Sequence, residues 1–231
     1  MRLLMALAIY FALITPLAGA VCDGFALNFE ATGIKIGTIV VRKSHFHDDQ
    51  LKASNAYLVR DDQVLAMEPE GDWVCAAFIG PKGVLTIGFL KSTEVNLSDV
   101  KPISLNAWLG NWTTGKWQNL SLRRGSKPGW IGVQGSAYWS LRDVVELDGG
   151  VHSGGIDGEA PLEENRVGFT STEDGSYQPY SAQARENFKC AIHLQLLSQH
   201  YLMVEDSGMC GGANVRFTGF YGRGKVDELK E

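Results

Sequence analysis

Four cysteines constrain the fold of this chain more than any other feature, and they fall as one pair in each half. Cys22 and Cys75 belong to the N-terminal half, while Cys190 and Cys210 lie near the C-terminus. An even number of cysteines in an exported chain predicts disulfides, and four cysteines allow three pairings. We expect Cys22–Cys75 and Cys190–Cys210, because each pair then lies within one half of the chain. A zinc site is the alternative, which the lack of any Cys-x-x-Cys spacing disfavours.

The first twenty residues have the layout of a secretory signal peptide. Arg2 precedes an apolar run over 3–14, and the small residues Ala18-Gly19-Ala20 follow a Pro break. The run is shorter than the ~20 apolar residues that a spanning helix requires, which disfavours an N-terminal anchor. We therefore predict a signal peptide over 1–20, no membrane span after its cleavage, and a periplasmic or secreted protein.

Glycines and short apolar runs dominate the rest of the chain. With 27 glycines and few helix-period patterns, the sequence is typical of an all-β fold. We expect an N-terminal β-barrel domain over 21–102 and a second β domain, a barrel or a sandwich, over 103–221. A mobile charged tail is predicted over 222–231.

Two hairpins are predicted in the N-terminal half. Residues 57–59 and 64–66 flank Asp61-Asp62, which has turn chemistry, and Trp73–Ile79 is followed by a second run over 84–90. Gly80-Pro81-Lys82-Gly83 joins the latter pair, because Pro fixes φ and Gly permits a positive φ.

In the C-terminal half the alternation over Trp130–Trp139 predicts a strand, whereas 149–179 is glycine-rich and polar. We interpret that segment as long loops around a short strand at 166–169. Residues 214–221 alternate so that one face can enter a core, and they predict a final strand.

One stretch of the first half carries a family resemblance. Trp73-Val74-Cys75-Ala76-Ala77-Phe78, followed by Thr86-Ile87-Gly88-Phe89-Leu90, resembles the core hairpin of bacterial Src-homology-3-like domains. Phe89 stands where those domains often have Trp. The resemblance implies a small Src-homology-3-like barrel and an association with cell-wall material.

The end of the chain carries a second resemblance. Cys210-Gly211-Gly212-Ala213-Asn214-Val215, continued by Phe217, Gly219 and Tyr221, is similar to the ending of a family of uncharacterised secreted bacterial proteins. Trp108-Leu109-Gly110-Asn111-Trp112 resembles the opening of the same domain. Some relatives with this ending are labelled lysozyme inhibitors. From the residues themselves we expect this motif to build the end of the fold, since its glycines permit a sharp turn after Cys210.

No catalytic set can be assembled from the sequence, so we predict no catalytic residues, no cofactor and no enzymatic activity. Asp206-Ser207-Gly208 lacks the flanking glycines of a serine-protease loop, and Ser153 lacks the glycine of a nucleophile elbow. An enzyme of unknown class stays as an alternative, and a deep pocket containing His45 or His152 would support it.

His45 and His47 are the candidate metal ligands. Their spacing places both side chains on one face of a strand, although no third ligand can be identified, and a solvated turn is the alternative reading.

Charge suggests the kind of partner. The net charge of −5 argues against nucleic acid, whereas eight acidic residues and one arginine lie between 146 and 174. Glu159, Glu163 and Glu164 are the candidate partner-binding residues, although such blocks are often only solvated loops. We expect a non-enzymatic binding protein of the bacterial cell envelope with a protein or cell-wall glycan partner. The alternative is an inhibitor or immunity protein against a cationic lytic enzyme.

Overall fold

A computed structural model describes residues 22, 33–80, 83–115, 117–140, 151–172, 174 and 176–224. The predicted signal peptide lies outside these residues, as does the tail from 225 onward. Gly222 and Arg223, which the sequence assigns to the tail, belong to the last strand. The described chain is built almost entirely of antiparallel strands in two sheets, so the all-β prediction is confirmed.

The first sheet contains seven strands in the order β3-β2-β6-β5-β4-β1-β7. Their bounds are β1 (Lys35–Ile39), β2 (Lys43–His47), β3 (Ala53–Val59), β4 (Gln63–Ala66), β5 (Trp73–Ile79), β6 (Leu85–Lys91) and β7 (Val95–Asp99). A short 3-10 helix, Ser92–Glu94, joins the last two strands.

The second sheet contains nine strands in the order β11-β10-β9-β8-β16-β15-β14-β12-β13. Their bounds are β8 (Gly110–Thr113), β9 (Gln118–Arg124), β10 (Trp130–Trp139), β11 (His152–Pro161), β12 (Arg166–Thr170), β13 (Gln178–Pro179), β14 (Ala191–Leu196), β15 (Tyr201–Asp206) and β16 (Gly219–Arg223). Helix α1 (Leu105–Trp108) precedes β8, and a 3-10 helix, Ala182–Arg185, precedes β14.

Both predicted disulfides are present. Cys22 is bonded to Cys75 with their α-carbons 5.3 Å apart, and Cys190 is bonded to Cys210 at 4.5 Å. The first bond attaches Cys22 to β5, and the second joins the start of β14 to the connection after β15. Two structural disulfides indicate an oxidising environment outside the cytoplasm.

The described part of the chain contains no helix long and apolar enough to cross a bilayer.

One predicted hairpin is confirmed and the other is wrong. β5 and β6 pair along seven residues, from Trp73 opposite Lys91 to Ile79 opposite Leu85. β3 and β4 instead pair with different neighbours, β3 with β2 and β4 with β1 and β5. The turn exists, but Asp61 adopts a positive φ of 72° and donates its amide to the carbonyl of Ile39. That bond directs the chain onto β1 rather than back along β3.

The prediction of long loops over 149–179 is also wrong. β11 occupies His152–Pro161 and pairs with β10 along all ten residues. The predicted strand at 166–169 is confirmed as part of β12. The predicted last strand begins only at Gly219, although Val215 and Phe217 before it are buried as expected.

The two faces of strand β16 pack into different apolar clusters. Tyr221 lies in the core of the second sheet with Trp108 and Trp112, and its hydroxyl donates to the carbonyl of Phe217 at 2.7 Å. Phe220 points the other way, into an apolar cluster that includes Ile36 of the first sheet. The two sheets therefore share a buried interface. The division into domains at residue 102 stays a prediction.

The second sheet curls until β11, one of its edges, faces β12. Phe169 of β12 reaches across and fits against Gly158 of β11, where a side chain would collide with its ring. In the turn that connects β11 to β12, Glu163 and Arg166 form an isolated bridge. We call the line between β11 and β12 the seam, and two cavities open beside it.

Candidate ligand-binding cleft

A cleft of about 350 Å³ opens at the seam. β9, β10 and β11 form one wall, and the segment after β12 forms the other. Side chains of both charges, three aromatic rings and several hydroxyls line it: Arg123, Lys127, Trp130, Asp157, Glu159, Phe169, Thr170, Ser171, Thr172, Ser176 and Tyr177. A concave site with a few convergent polar groups is the usual form of a ligand pocket.

Strand register determines which side chains form the floor of the cleft. Gly132 of β10 lies opposite Arg123 of β9 and Glu159 of β11, so the three positions form a row on the outer face. A β-carbon on Gly132 would stand 3.0 Å from the side chain of Arg123, so Arg123 lies flat over the glycine. Its guanidinium then reaches Asp157 at 3.5 Å and the Oε1 atom of Gln134 at 3.3 Å.

Glu159 is held as an ionised acceptor. The backbone N–H of Ser126 donates to its Oε2 atom at 2.7 Å, and the Ser126 hydroxyl donates to Oε1. These hydrogen bonds, followed by the charges of Lys127 and Arg123, lower the pKa of the Glu159 carboxyl. A carboxylate stabilised in its charged form accepts hydrogen bonds and does not donate a proton near neutral pH.

Two aromatic rings stand at the mouth of the cleft. Trp130 and Tyr177 meet edge to face with their ring centroids 5.0 Å apart, and the Nζ atom of Lys127 lies 4.3 Å from the centroid of the Trp130 ring. The cation and the neighbouring ring hold Trp130 in place. Tyr177 is 39% exposed and presents an aromatic surface to solvent.

A second cavity, of about 740 Å³, lies on the far side of Tyr177. Tyr180 and His193 stack on each other there with their centroids 4.9 Å apart, and the charged part of the lining consists of Arg166, Glu163 and Glu164. Burial, and secondarily the charge of Arg166, lower the pKa of His193 to about 4. His193 is therefore uncharged near neutral pH.

Glu163 and Glu164 occupy the tight turn between β11 and β12. The amide of Arg166 donates to the carbonyl of Glu163 at 2.7 Å, and Glu164 and Asn165 both have positive φ, of 45° and 67°. Both acidic side chains are exposed at the border of the second cavity. Within the described ranges, no basic side chain lies within ion-pair distance of either carboxylate.

The structure divides the three candidate partner-binding residues between two settings. Glu159 is hydrogen-bonded to Ser126 and lies beside Lys127, whereas Glu163 and Glu164 face solvent. Arg123 and Asp157 lie far apart in the sequence, but the β9-β10-β11 register places them side by side. Arg123, Lys127, Trp130 and Tyr177 were therefore missed as site residues. The pairing of β9, β10 and β11, and the position of β12 beside β11, reveal them.

His45 and His47 lie in β2 with partly buried rings. Tyr57 contacts the His45 ring and Trp73 contacts the His47 ring, and Nδ1 of His45 lies 3.1 Å from the carbonyl oxygen of Ser54. Among the described residues, no group of three or more His, Cys, Asp or Glu side chains is arranged to hold a metal. A metal site at His45 and His47 stays a prediction, with these two side chains as its ligands.

His152, Ser153 and the Cys-Gly-Gly motif, which the sequence singled out, take part in contacts that hold the second sheet together. The Nδ1 atom of His152 lies 2.6 Å from the carbonyl oxygen of Ala213, and Ser153 accepts the amide of Gly212 at 3.1 Å. Gly211 packs against Gly154, because a β-carbon there would stand 2.7 Å from the Gly154 α-carbon. The Cys-Gly-Gly motif thus fastens the loop before β16 onto β11.

The polar groups of the Asp206-Ser207-Gly208 segment are also engaged in hydrogen bonds with neighbouring strands. The carboxylate of Asp206 accepts the Thr218 amide at 3.0 Å, and the Ser207 hydroxyl donates to the Lys189 carbonyl at 2.8 Å. Ser207 also accepts the Ala191 amide at 3.0 Å, which ties the segment to β14. These contacts hold the ends of β14, β15 and β16 together next to the Cys190–Cys210 disulfide.

No protein-family profile, curated protein or solved structure matches the chain. The two resemblances stay predictions.

Proposed function

We propose that the protein is an exported, non-enzymatic binding protein of the bacterial cell envelope, and that it holds its ligand in the cleft at the seam. The observation that carries this proposal is the cleft itself. Arg123, Asp157 and Glu159 provide charged groups of both signs beside the exposed ring of Tyr177. Such a combination of an aromatic surface and fixed polar groups orients a ligand.

The protonation state of Glu159 supports binding over acid catalysis. A general acid works best when its pKa lies near the operating pH, which usually requires a carboxyl pKa raised by burial or by a like charge. The pKa of Glu159 is lowered instead, by two hydrogen bonds from Ser126. The cleft acts as a set of fixed acceptors and donors.

The proposed compartment is the periplasm or the exterior of the cell. The Cys22–Cys75 and Cys190–Cys210 bonds support it, since such bonds persist in oxidising compartments.

A pull-down with purified envelope fractions tests the proposal. We expect the wild-type protein to be retained by an envelope fraction, and the Tyr177→Ala variant to lose most of this retention. Tyr57→Ala is the matched control, because Tyr57 is an exposed tyrosine, 53% accessible, on the first sheet. Recovery of no protein or glycan, or equal loss with both variants, would contradict the proposal.

A second candidate function is inhibition of a cationic cell-wall lytic enzyme. Glu163 and Glu164 favour it, because they project from a tight turn with no basic group in ion-pair distance among the described residues. Exposed acidic groups accelerate association with a cationic partner at low salt.

Muramidase assays at low ionic strength test this second function. We expect inhibition by the wild-type protein and weaker inhibition by Glu163→Gln/Glu164→Gln. A double variant of two exposed glutamates elsewhere, Glu70→Gln/Glu186→Gln, removes the same charge and should inhibit normally. Full muramidase activity in the presence of the wild-type protein would exclude this function.

A further inference from the structure

The two cavities beside the seam adjoin each other, because Tyr177 lines both of them, and together we call them the groove. One end contains Arg123 and Asp157, and the other end is bordered by Glu163 and Glu164. An elongated ligand can therefore pass over Tyr177 and contact both ends, whereas a compact one would occupy a single cavity.

Aromatic rings recur along this groove. Trp130 and Tyr177 meet at the first cavity, and Tyr180, stacked on His193, lines the second. Pyranose rings have an apolar C–H face that packs on aromatic rings, while their hydroxyls remain at the edge for hydrogen bonding. Repeated aromatic surfaces along an open groove suit a chain of sugars.

The polar groups between the rings suit the sugar hydroxyls. Ser171 and Ser176 provide hydroxyls on one wall, and the carboxylates of Asp157 and Glu159 are acceptors on the other. Glu159 is already oriented by Ser126, so little side-chain entropy is lost when a ligand binds.

The charges specify the sugar further. The carboxylates of Asp157 and Glu159 are balanced by Arg123 and Lys127. Among the described residues that line the second cavity, Glu163 and Glu164 exceed the single arginine, Arg166, by one charge, so that end is negative. His193 adds no positive charge near neutral pH. A cationic group on the ligand is favoured beside the turn.

We propose that the groove binds an oligosaccharide of amino sugars with free amines, its rings on Tyr177 and Tyr180 and an amine beside Glu163 and Glu164. This inference rests on the proposed function and names the ligand class of the same site. It requires no covalent step, because the interactions are stacking, hydrogen bonding and charge.

Isothermal titration calorimetry at about pH 6, where sugar amines are protonated, tests the inference. The probes are β-1,4-linked tetrasaccharides of glucosamine, N-acetylglucosamine and glucose. We expect the glucosamine tetrasaccharide to bind best, with affinity reduced about tenfold by Tyr177→Ala and about fivefold by Glu163→Gln/Glu164→Gln. Tyr57→Ala and Glu70→Gln/Glu186→Gln should bind as wild type.

Absence of glucosamine-tetrasaccharide binding overturns the inference, as does binding that Tyr177→Ala leaves unchanged. Equal binding of the glucose tetrasaccharide also overturns it, because the amine would then play no part. If envelope retention depends on Tyr177 while the glucosamine tetrasaccharide fails to bind, the ligand class is wrong and the proposed function stands. If envelope retention does not depend on Tyr177 and the glucosamine tetrasaccharide does not bind, both proposals are wrong.

Discussion

The ring of Phe169 lies directly against Gly158, so close that a β-carbon on the glycine would stand 2.5 Å from the Cε2 atom of the ring. The two residues come from β12 and β11, which face each other across the seam. Phe169 is 3% exposed and belongs to the core of the second sheet. The glycine therefore makes room for a ring that closes the core where strand pairing stops.

Gly158→Ala is expected to destabilise the protein by about 1–3 kcal/mol, because the added methyl group forces Phe169 or β11 to move. Gly155→Ala is the control in the same strand, since its nearest contact would be an ordinary 3.8 Å. Urea unfolding measures both variants. Equal free energies of unfolding for the two variants would show that the ring can shift at no cost.

Removing the Cys190–Cys210 bond is expected to lower the free energy of unfolding by about 3 kcal/mol, and removing Cys22–Cys75 by about 4 kcal/mol. The difference arises because the bonds close loops of 20 and 53 residues in the unfolded chain. Unfolding curves of the two paired Cys→Ala variants measure these values. Intact-mass analysis of protein from its native compartment should find no free thiol, and four free thiols would refute the assigned bonds.

Tyr201→Phe is expected to cost about 1 kcal/mol, because the Tyr201 hydroxyl donates to the backbone carbonyl of Gln63 and its removal leaves a partly buried acceptor without that donor. Tyr57→Phe changes an exposed tyrosine and should leave stability unchanged. The Tyr201 bond joins the second sheet to the first. Thermal unfolding of the variants tests whether this link contributes, and identical midpoints for all three proteins would show that it does not.

The stability of the protein is expected to fall as the pH falls from 6.5 to about 4, because His193 has a lowered pKa in the folded state. The unfolded chain binds a proton to this ring near its ordinary pKa, whereas the folded protein does so only near pH 4. The unfolded state is therefore favoured progressively over this interval, by on the order of 2 kcal/mol.

Carboxylates also titrate in this range, so the comparison with His193→Phe isolates the contribution of the ring. That variant keeps an aromatic partner for Tyr180 and should show a shallower dependence of the free energy of unfolding on pH. Parallel curves for wild type and variant would mean that His193 protonates equally in both states.

Strands that bury one regular apolar face could be predicted from the sequence. β10 matches its predicted bounds, Trp130–Trp139, because Ile131, Val133 and Ala137 alternate with polar or small residues. The β5–β6 hairpin was predicted correctly because its turn contains Pro and Gly beside apolar runs. In these elements local chemistry and the final packing favour the same structure.

β11 could not be predicted in this way because its inward positions are small. Gly154, Gly158 and Ala160 face inward with Ile156, and their missing volume is filled from outside the strand, by Phe169 at Gly158 and by Gly211 and Val215 at Gly154. A strand whose core is supplied by other segments shows no apolar alternation of its own.

The cleft depends on the same strand. The proximity of Arg123 and Asp157 follows from β11 joining β10, so interpreting 149–179 as loops concealed the site. The acidic residues were visible in the sequence, but the position of Arg123 and Lys127 beside them was not.

The strand β16 has an apolar side chain on each face, Tyr221 in the second-sheet core and Phe220 against the first sheet. A fragment containing the second sheet alone would expose Phe220, Met203 and Leu197 to water as a hydrophobic patch. Cutting the chain near residue 102 would therefore expose this apolar surface on both halves and cause them to aggregate, so the two sheets depend on each other for solubility.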